Sequence, residues 1–152
     1  MMKRFGHTKA AVVLFRRSVP VGDRFVSKIS GGRHTLVGIV VPTLILLHTG
    51  RQSGKHYETP LMYLPLGNSF VIAGSNWGRT DHPAWSANLL AHPDATVVAA
   101  GQRIAVRARL VTPEERQELW PRLVETWPAF TTYAARASDR EIRVFILERA
   151  QR

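Results

Sequence analysis

Residues 43–74 read TLILLHTGRQSGKHYETPLMYLPLGNSFVIAG, and the alternation of apolar runs with glycine-bearing turns in this stretch decides the fold. An apolar run that begins at Val37 ends at His48. The turn Thr49-Gly50-Arg51-Gln52-Ser53-Gly54 follows, and residues 57–66 make a second run. Runs of this length, rich in branched and aromatic residues and bounded by turn residues, predict strands, so the pair reads as a hairpin. Gly67-Asn68 reverses the chain into a third strand over 69–74. Pro42 has no amide hydrogen to give to a ladder and is expected to interrupt the first strand.

Downstream, residues 75–82 form a polar loop, and residues 83–91 predict a short helix with Pro83 at its first position, where a missing N–H is harmless. Pro93 ends it. Residues 95–100 and 103–111 predict a second hairpin about Gly101-Gln102. In its second strand Ile104, Val106, Ala108 and Leu110 face one way and Arg103, Arg107 and Arg109 the other, so one face is wet. Thr112, with Glu115 three residues on, carries a capping-box pattern. Leu119, Trp120, Leu123, Val124 and Trp127 then recur at helical spacing. Pro121 inside that run is expected to kink or interrupt the helix. A second helical piece is expected over 128–137 and a closing strand over 142–147. Upstream, a short helix is expected over 8–17 and a loop at Gly31-Gly32.

Most strands are joined by short turns, so they pair antiparallel. There is no βαβ alternation and no G-x-G-x-x-G after a strand, which argues against a doubly wound dinucleotide fold. The class is α+β: an antiparallel barrel with helices packed outside. The chain has 152 residues, enough for one domain with a real core. The organisation expected is an N-terminal extension over 1–34 and the main domain over 35–152.

Twenty-one Lys and Arg against 11 Asp and Glu give a formal charge of +10, which favours anionic partners. The basic residues are dispersed, without a run or an RNA-binding signature, so nucleic acid is not the expected partner. Cysteine is absent, which removes disulfides and thiolate chemistry. The six histidines lack metal-ligand spacing, and no metal site is expected. H-E-x-x-H and G-x-S-x-G are absent, and the acidic residues cluster on one helix face. Neither a signal peptide nor an apolar segment long enough to span a bilayer is read, so the expected location is the cytoplasm. The basic, partly apolar N-terminus could make a peripheral contact with a membrane surface, but a helix that packs on the body, or frays, is the favoured reading.

Three groups of residues could carry chemistry. In the 49–54 turn, successive N–H groups can nest an anion, Arg51 can fork onto phosphate, and Ser53 can donate its hydroxyl. An ordinary polar hairpin loop accounts for the same residues. Ser75-Asn76-Trp77-Gly78 leads into a helix carrying Trp85 and Asn88 on one face, a place where helix N–H groups favour an anion and an indole can pack on a flat ring. Trp85 as core and Asn88 as a backbone partner fit equally well. Phe130 and Tyr133 share a face of the last helix; they either pack it or wall a pocket with the Tyr133 hydroxyl as proton donor.

The strings LILLHTGRQSGKHYETPLMYL, FVIAGSNWGRTDHPAWSANLLAHPDATV and ERQELWPRLVETWPAFTTYAARASDREIRVFILE, in this order and spacing, resemble the deazaflavin-dependent nitroreductase family over residues 43–148. The resemblance implies a split β-barrel fold, like that of flavin-binding pyridoxamine-phosphate-oxidase-like proteins, and the coenzyme F420. It implies that Arg51, Gln52 and Ser53 hold the coenzyme's phosphate and acidic tail, with Gln52 and Tyr57 standing where basic residues are usual. Thr59 keeps the T-P ending of that motif. Ala73, Gly74, Ser75 and Asn76, with Trp85 and Asn88 of the P-x-W-x-x-N helix, would surround the deazaflavin and its ribityl-phosphate chain. Phe130 stands where nitroimidazole-reducing members hold a tyrosine, which leaves Tyr133 as the candidate catalytic proton donor. The implied activity is transfer of hydride from reduced F420 to a small electron-poor acceptor such as a quinone, an enone or a nitroaromatic. An FMN enzyme of the same fold and a non-catalytic F420 carrier are the alternatives. The oligomeric state is open to either a monomer or an oligomer.

Overall fold

The computed structural model describes residues 33–36, 39–137 and 140–151. The expected helix over 8–17 and the Gly31-Gly32 loop lie outside the described residues. The elements are β1 (Arg33–Leu36), β2 (Ile39–Thr49), β3 (His56–Met62), β4 (Leu64–Leu66), β5 (Ser69–Ala73), α1 (Ala84–Ala91), β6 (Asp94–Ala99), β7 (Gln102–Leu110), α2 (Pro113–Thr126), α3 (Ala129–Ala137) and β8 (Val144–Arg149). β1 begins two residues inside the expected extension, with Arg33 opposite Pro42 and His34 opposite Val41.

Among the described residues eight strands form one antiparallel sheet in the order β1-β2-β6-β7-β8-β5-β4, with β3 also paired to β2. Residues 45–47 of β2 have β3 on one edge and β6 on the other. The pair β5–β8 runs Phe70 opposite Leu147 through Ala73 opposite Val144. These two strands are continuous apolar runs because both of their faces are covered. Val71, Val144 and Ile146 go to a core shared with Leu119, Leu123, Trp127, Phe130 and Tyr133 of the α2–α3 region. Phe70, Ile72, Phe145 and Leu147 go to a second core with Leu44, Leu46, Val97, Val106 and, from α1, Trp85 and Leu89. Each fully buried side chain of this kind contributes roughly 1.5–3 kcal/mol.

Four local expectations need correction. β2 is not interrupted at Pro42; it runs unbroken from Ile39 to Thr49. Pro42 sits where β2 changes partners, paired to β1 through residue 42 and to β3 from Thr43 onward. Only its carbonyl is used beyond that point, accepting the Tyr63 N–H at 3.1 Å. Residues 57–66 are two strands, broken at Tyr63. β3 ladders with β2, whereas Leu64 moves over to pair with Val71 of β5. Pro121 does not interrupt α2, which is one helix from Pro113 to Thr126. Pro121 and Gln117, whose carbonyl loses its partner, are both exposed, so water can serve that carbonyl. Pro83 is extended (ψ 144°) and caps α1 from outside instead of opening it.

The remaining patterns hold with shifted ends. In β7, Val106 and Ala108 are buried while Arg103, Arg107 and Arg109 are exposed, but Leu110 emerges half exposed at the strand end. The capping box at α2 is complete: Thr112 Oγ1 accepts the Glu115 N–H and Glu115 accepts the Thr112 N–H. Glu115 also receives Arg109, and these donors hold its carboxyl down at about 2. Among the described residues no helix is long and apolar enough to cross a membrane.

Candidate functional site

β2 delivers His48 at its end, and β3 returns opposite it with Tyr57 and Thr59. Between them the 49–54 turn closes on itself, with the Gly50 N–H on the Lys55 carbonyl at 2.7 Å and the Gly54 N–H on the Gly50 carbonyl at 3.0 Å. Gly54 has φ +69°, where a side chain would be strained. A Cβ on Gly50 would come within 2.6 Å of Ser53 Oγ and 2.8 Å of Tyr57, so any larger residue there must displace these two side chains.

One buried network ties this turn to α1. The Arg51 backbone N–H donates to Asn88 Oδ1 at 3.0 Å, and its guanidinium reaches the same atom at 3.4 Å. Two donors on one amide atom identify it as the oxygen, so Nδ2 must face the other way. It donates to His48 Nδ1 at 3.1 Å. The imidazole proton therefore sits on Nε2 and goes to Thr59 Oγ1, 2.9 Å away. His48 is 5% exposed, and burial lowers its pKa from 6.5 to about 4, so it is neutral at physiological pH. Tyr57 stacks on it at 5.8 Å between ring centres. Ser53 Oγ lies 3.4 Å from Tyr57 Oη and accepts the Lys55 N–H.

A second cluster surrounds the loop from β5 to α1. Asn76, Trp77 and Gly78 all have positive φ (46°, 59° and 75°), a left-handed turn that L side chains resist. Contacts elsewhere hold it. Trp77 meets Tyr133 edge-on at 5.8 Å, and a Cβ on Gly78 would strike the Tyr133 backbone at 2.9 Å. The Arg140 guanidinium donates to the carbonyls of Gly74, Ser75 and Arg79 and to His82 Nδ1. Asn76 Nδ2 donates to the Asp81 carbonyl. Gly74 gives its N–H to the Arg143 carbonyl and packs beside Pro83, while the Arg143 side chain reaches Ser86 Oγ in α1.

The structure thus brings Arg51, Gln52, Ser53, Tyr57, Thr59 and Asn88 into one group, and Ala73, Gly74, Ser75 and Asn76 into another. α1 joins them: Pro83, its N-cap, packs beside Gly74, and Asn88 lies four residues, about 6 Å, along the helix from Ala84. Trp85 is 7% exposed and packs against Phe145, so its ring belongs to the core. Tyr133 is 4% exposed and packs on Trp77 and Phe130; burial pushes its phenol up. Sequence reading passed over His48 and Arg140. A histidine directly after an apolar run was a usable sign, because a buried polar side chain needs partners. Arg140 carried no local sign, since everything its side chain binds is about sixty residues away.

Residues 19–149 match the family model described as F420H(2)-dependent quinone reductase. The chain belongs to that family. The F420H(2)-dependent quinone reductases are oxidoreductases that use the deazaflavin coenzyme F420, and the expected cofactor and reaction class stand. A Mycobacterium tuberculosis (strain ATCC 25618 / H37Rv) protein, provisionally named F420H(2)-dependent quinone reductase Rv3178, is 36% identical over 107 residues, which are 70% of this chain and 89% of the relative. The solved structure of an F420-H2 dependent reductase, FDR-A, is 32% identical with a TM-score of 0.65, covering 70% of this chain and 94% of that one. A second structure, described as a domain-swapped dimer, is 29% identical with a TM-score of 0.66, covering 87% and 99%. The curled antiparallel sheet with outer helices is the split-barrel fold that these residues implied.

The donor chemistry of the 49–54 turn suits the family's coenzyme. Arg51 and Lys55 are exposed and, among the described residues, neither pairs with a carboxylate. Cationic and N–H donors with no protein anion to satisfy them match a phosphate and carboxylate arm.

Proposed function

We propose that this quinone reductase family member holds the anionic arm of F420 on the 49–54 turn and the ring end beside residues 73–76, and reduces a small quinone. The observation that supports this most is the Arg51–Asn88–His48–Thr59 network, because it fixes a cationic, carboxylate-free turn against the helix that also borders the second loop. When bound, reduced F420 supplies the hydride; the quinone takes it with one proton and leaves as hydroquinone. Arg51 neutralises phosphate, and Gln52 and Ser53 offer N–H groups to it. Tyr57 and Thr59 act through His48 by keeping the turn in place. Ser75 and Asn76 border the ring, and Trp85 supports α1 from the core.

Replacing Arg51 by Gln is expected to raise the Kd for F420 roughly 10-fold to 100-fold, the worth of a charge-assisted hydrogen bond, with the melting temperature unchanged. Fluorescence titration with F420 measures this, and no saturable binding by the wild-type protein would refute the assignment.

Tyr133 is our proposed proton source, since it packs on Trp77 of the loop that borders the ring and a phenol is protonated at neutral pH. Tyr133→Phe retains the ring packing. It is expected to lower kcat for menadione about tenfold, less than a positioned acid often contributes, because water also protonates a hydroquinone anion. An unchanged kcat assigns that proton to water.

A further inference from the structure

Among the described residues, the Arg140 side chain makes more hydrogen bonds than that of any other arginine. Its Nε donates to the Arg79 carbonyl at 2.9 Å, Nη1 to the Gly74 carbonyl at 3.1 Å and to His82 Nδ1 at 3.2 Å, and Nη2 to the Ser75 carbonyl at 2.7 Å. Among the described residues it has no ion-pair partner; Asp81 is close enough to be felt but does not bond it. A guanidinium that collects backbone carbonyls in place of a carboxylate sets backbone direction.

That direction follows from peptide geometry. A trans peptide is planar, with its C=O and the next residue's N–H on opposite sides. With the Gly74 and Ser75 carbonyls turned onto Arg140, the N–H groups of Ser75 and Asn76 point away from it. Among the described residues neither of these two N–H groups has an acceptor. The left-handed turn at Asn76, Trp77 and Gly78 does not keep this orientation unaided, because left-handed non-glycine residues are costly. Bonds within the loop include Gly78 N–H to the Ser75 carbonyl, Arg79 N–H to the Asn76 carbonyl, and the Asn76 side chain to the Asp81 carbonyl.

We propose that Arg140 is a positioning residue that presents the Ser75 and Asn76 N–H groups, as a fixed pair of donors, to a carbonyl or anionic edge of the bound deazaflavin ring. This rests on the reading that residues 73–76 border the ring. Lysine cannot replace it, since an ammonium is a single point charge and three carbonyls spread around a planar fork need several donors in set directions.

The experiment compares wild type, Arg140→Ala, Arg140→Lys and Arg51→Gln. In the cofactor-free proteins, hydrogen exchange at the Gly78 and Arg79 amides reports loop order, and both Arg140 variants should exchange faster. F420 titration should show a Kd at least about tenfold higher in Arg140→Ala, with Arg140→Lys closer to alanine than to wild type. At saturating F420, the shift in its absorption on binding should be diminished in Arg140→Ala and retained in Arg51→Gln, because only the former alters the ring's surroundings. Millimolar methylguanidinium should restore both affinity and spectrum in Arg140→Ala. Faster exchange with unaltered affinity and spectrum overturns the proposal, as does unaltered exchange. Should Arg140→Ala fail to fold, Arg140→Lys carries the same measurements. Wild-type protein that binds no F420 overturns the cofactor assignment first, and is recognised because no substitution is involved.

Discussion

Replacing Asn88 by leucine will cost this protein both its cofactor affinity and a large share of its stability. Asn88 is 5% exposed, in the middle of α1, and its amide makes three contacts: two from Arg51 and one to His48. Leucine matches its bulk and makes none of them. His48 Nδ1 is then left as a buried acceptor without a donor, and the Arg51 N–H is released to solvent. An unsatisfied buried group costs about 1–3 kcal/mol, and with the lost bonds the total is expected near 2–4 kcal/mol. Freed from α1, the turn no longer holds its guanidinium in place, and the Kd for F420 should rise roughly a hundredfold. Urea unfolding and F420 titration read the two effects separately. Asn88→Asp is the informative control. It keeps an acceptor for Arg51 but offers His48 an anion, so affinity should suffer less while the imidazole becomes easier to protonate. Equal losses in the two variants would mean that the Arg51 link does not govern binding.

The second large effect is a fall in stability on mild acidification. His48 titrates at about 4 in the folded protein and near 6.5 when unfolded. Between those values the unfolded chain takes up a proton that the native state refuses. Acid therefore favours unfolding as pH drops through 6.5, and this contribution levels off below about 4. A gap of this size corresponds to about 3 kcal/mol. Burial is the main cause, because the charged ring would lose its water; in addition, a protonated ring would turn a second N–H toward the Asn88 amide nitrogen, and flipping the amide would set that nitrogen against the Arg51 N–H. Burial and the neighbouring Arg143 and Arg140 lower His82 as well, which acts in the same direction. Urea midpoints measured from pH 7.5 to 4 should decline steeply in the wild type and less in His48→Gln. Parallel curves would remove His48 as the cause.

Much of the architecture was legible because it depends on local signals. Turn residues at 49–54, 67–68 and 101–102 set off apolar runs of strand length, and Thr112 with Glu115 marked a helix start that the structure reproduces bond for bond. The prolines were misjudged for one common reason: whether a missing N–H matters depends on what lies opposite. Pro42 falls where β2 exchanges β1 for β3, and Pro121 faces water; neither circumstance is visible in the residues alongside. Tyr63 was hidden likewise, since only the position of β5 shows that Leu64 must leave the β2 ladder. At the site, motif resemblance pointed to Arg51 and Asn88 as separate contributors. It could not show that they bond to each other, because that contact spans 37 residues and runs through a histidine with no motif of its own.

The loop that carries Ser75 leaves β5 immediately after Ala73, and Arg140 and Arg143 lie on the segment that enters β8 at Val144; Ala73 and Val144 are partners on the same rung. Two pieces of chain nearly seventy residues apart are thereby launched from the last rung of the β5–β8 ladder, directly beyond Val71, Ile72, Phe145 and Ile146, which are buried on both faces of the sheet. Little ordering entropy is left for an incoming ligand to supply at that end, and its arrival there resembles docking onto a finished surface more than the gathering of loose strands of backbone.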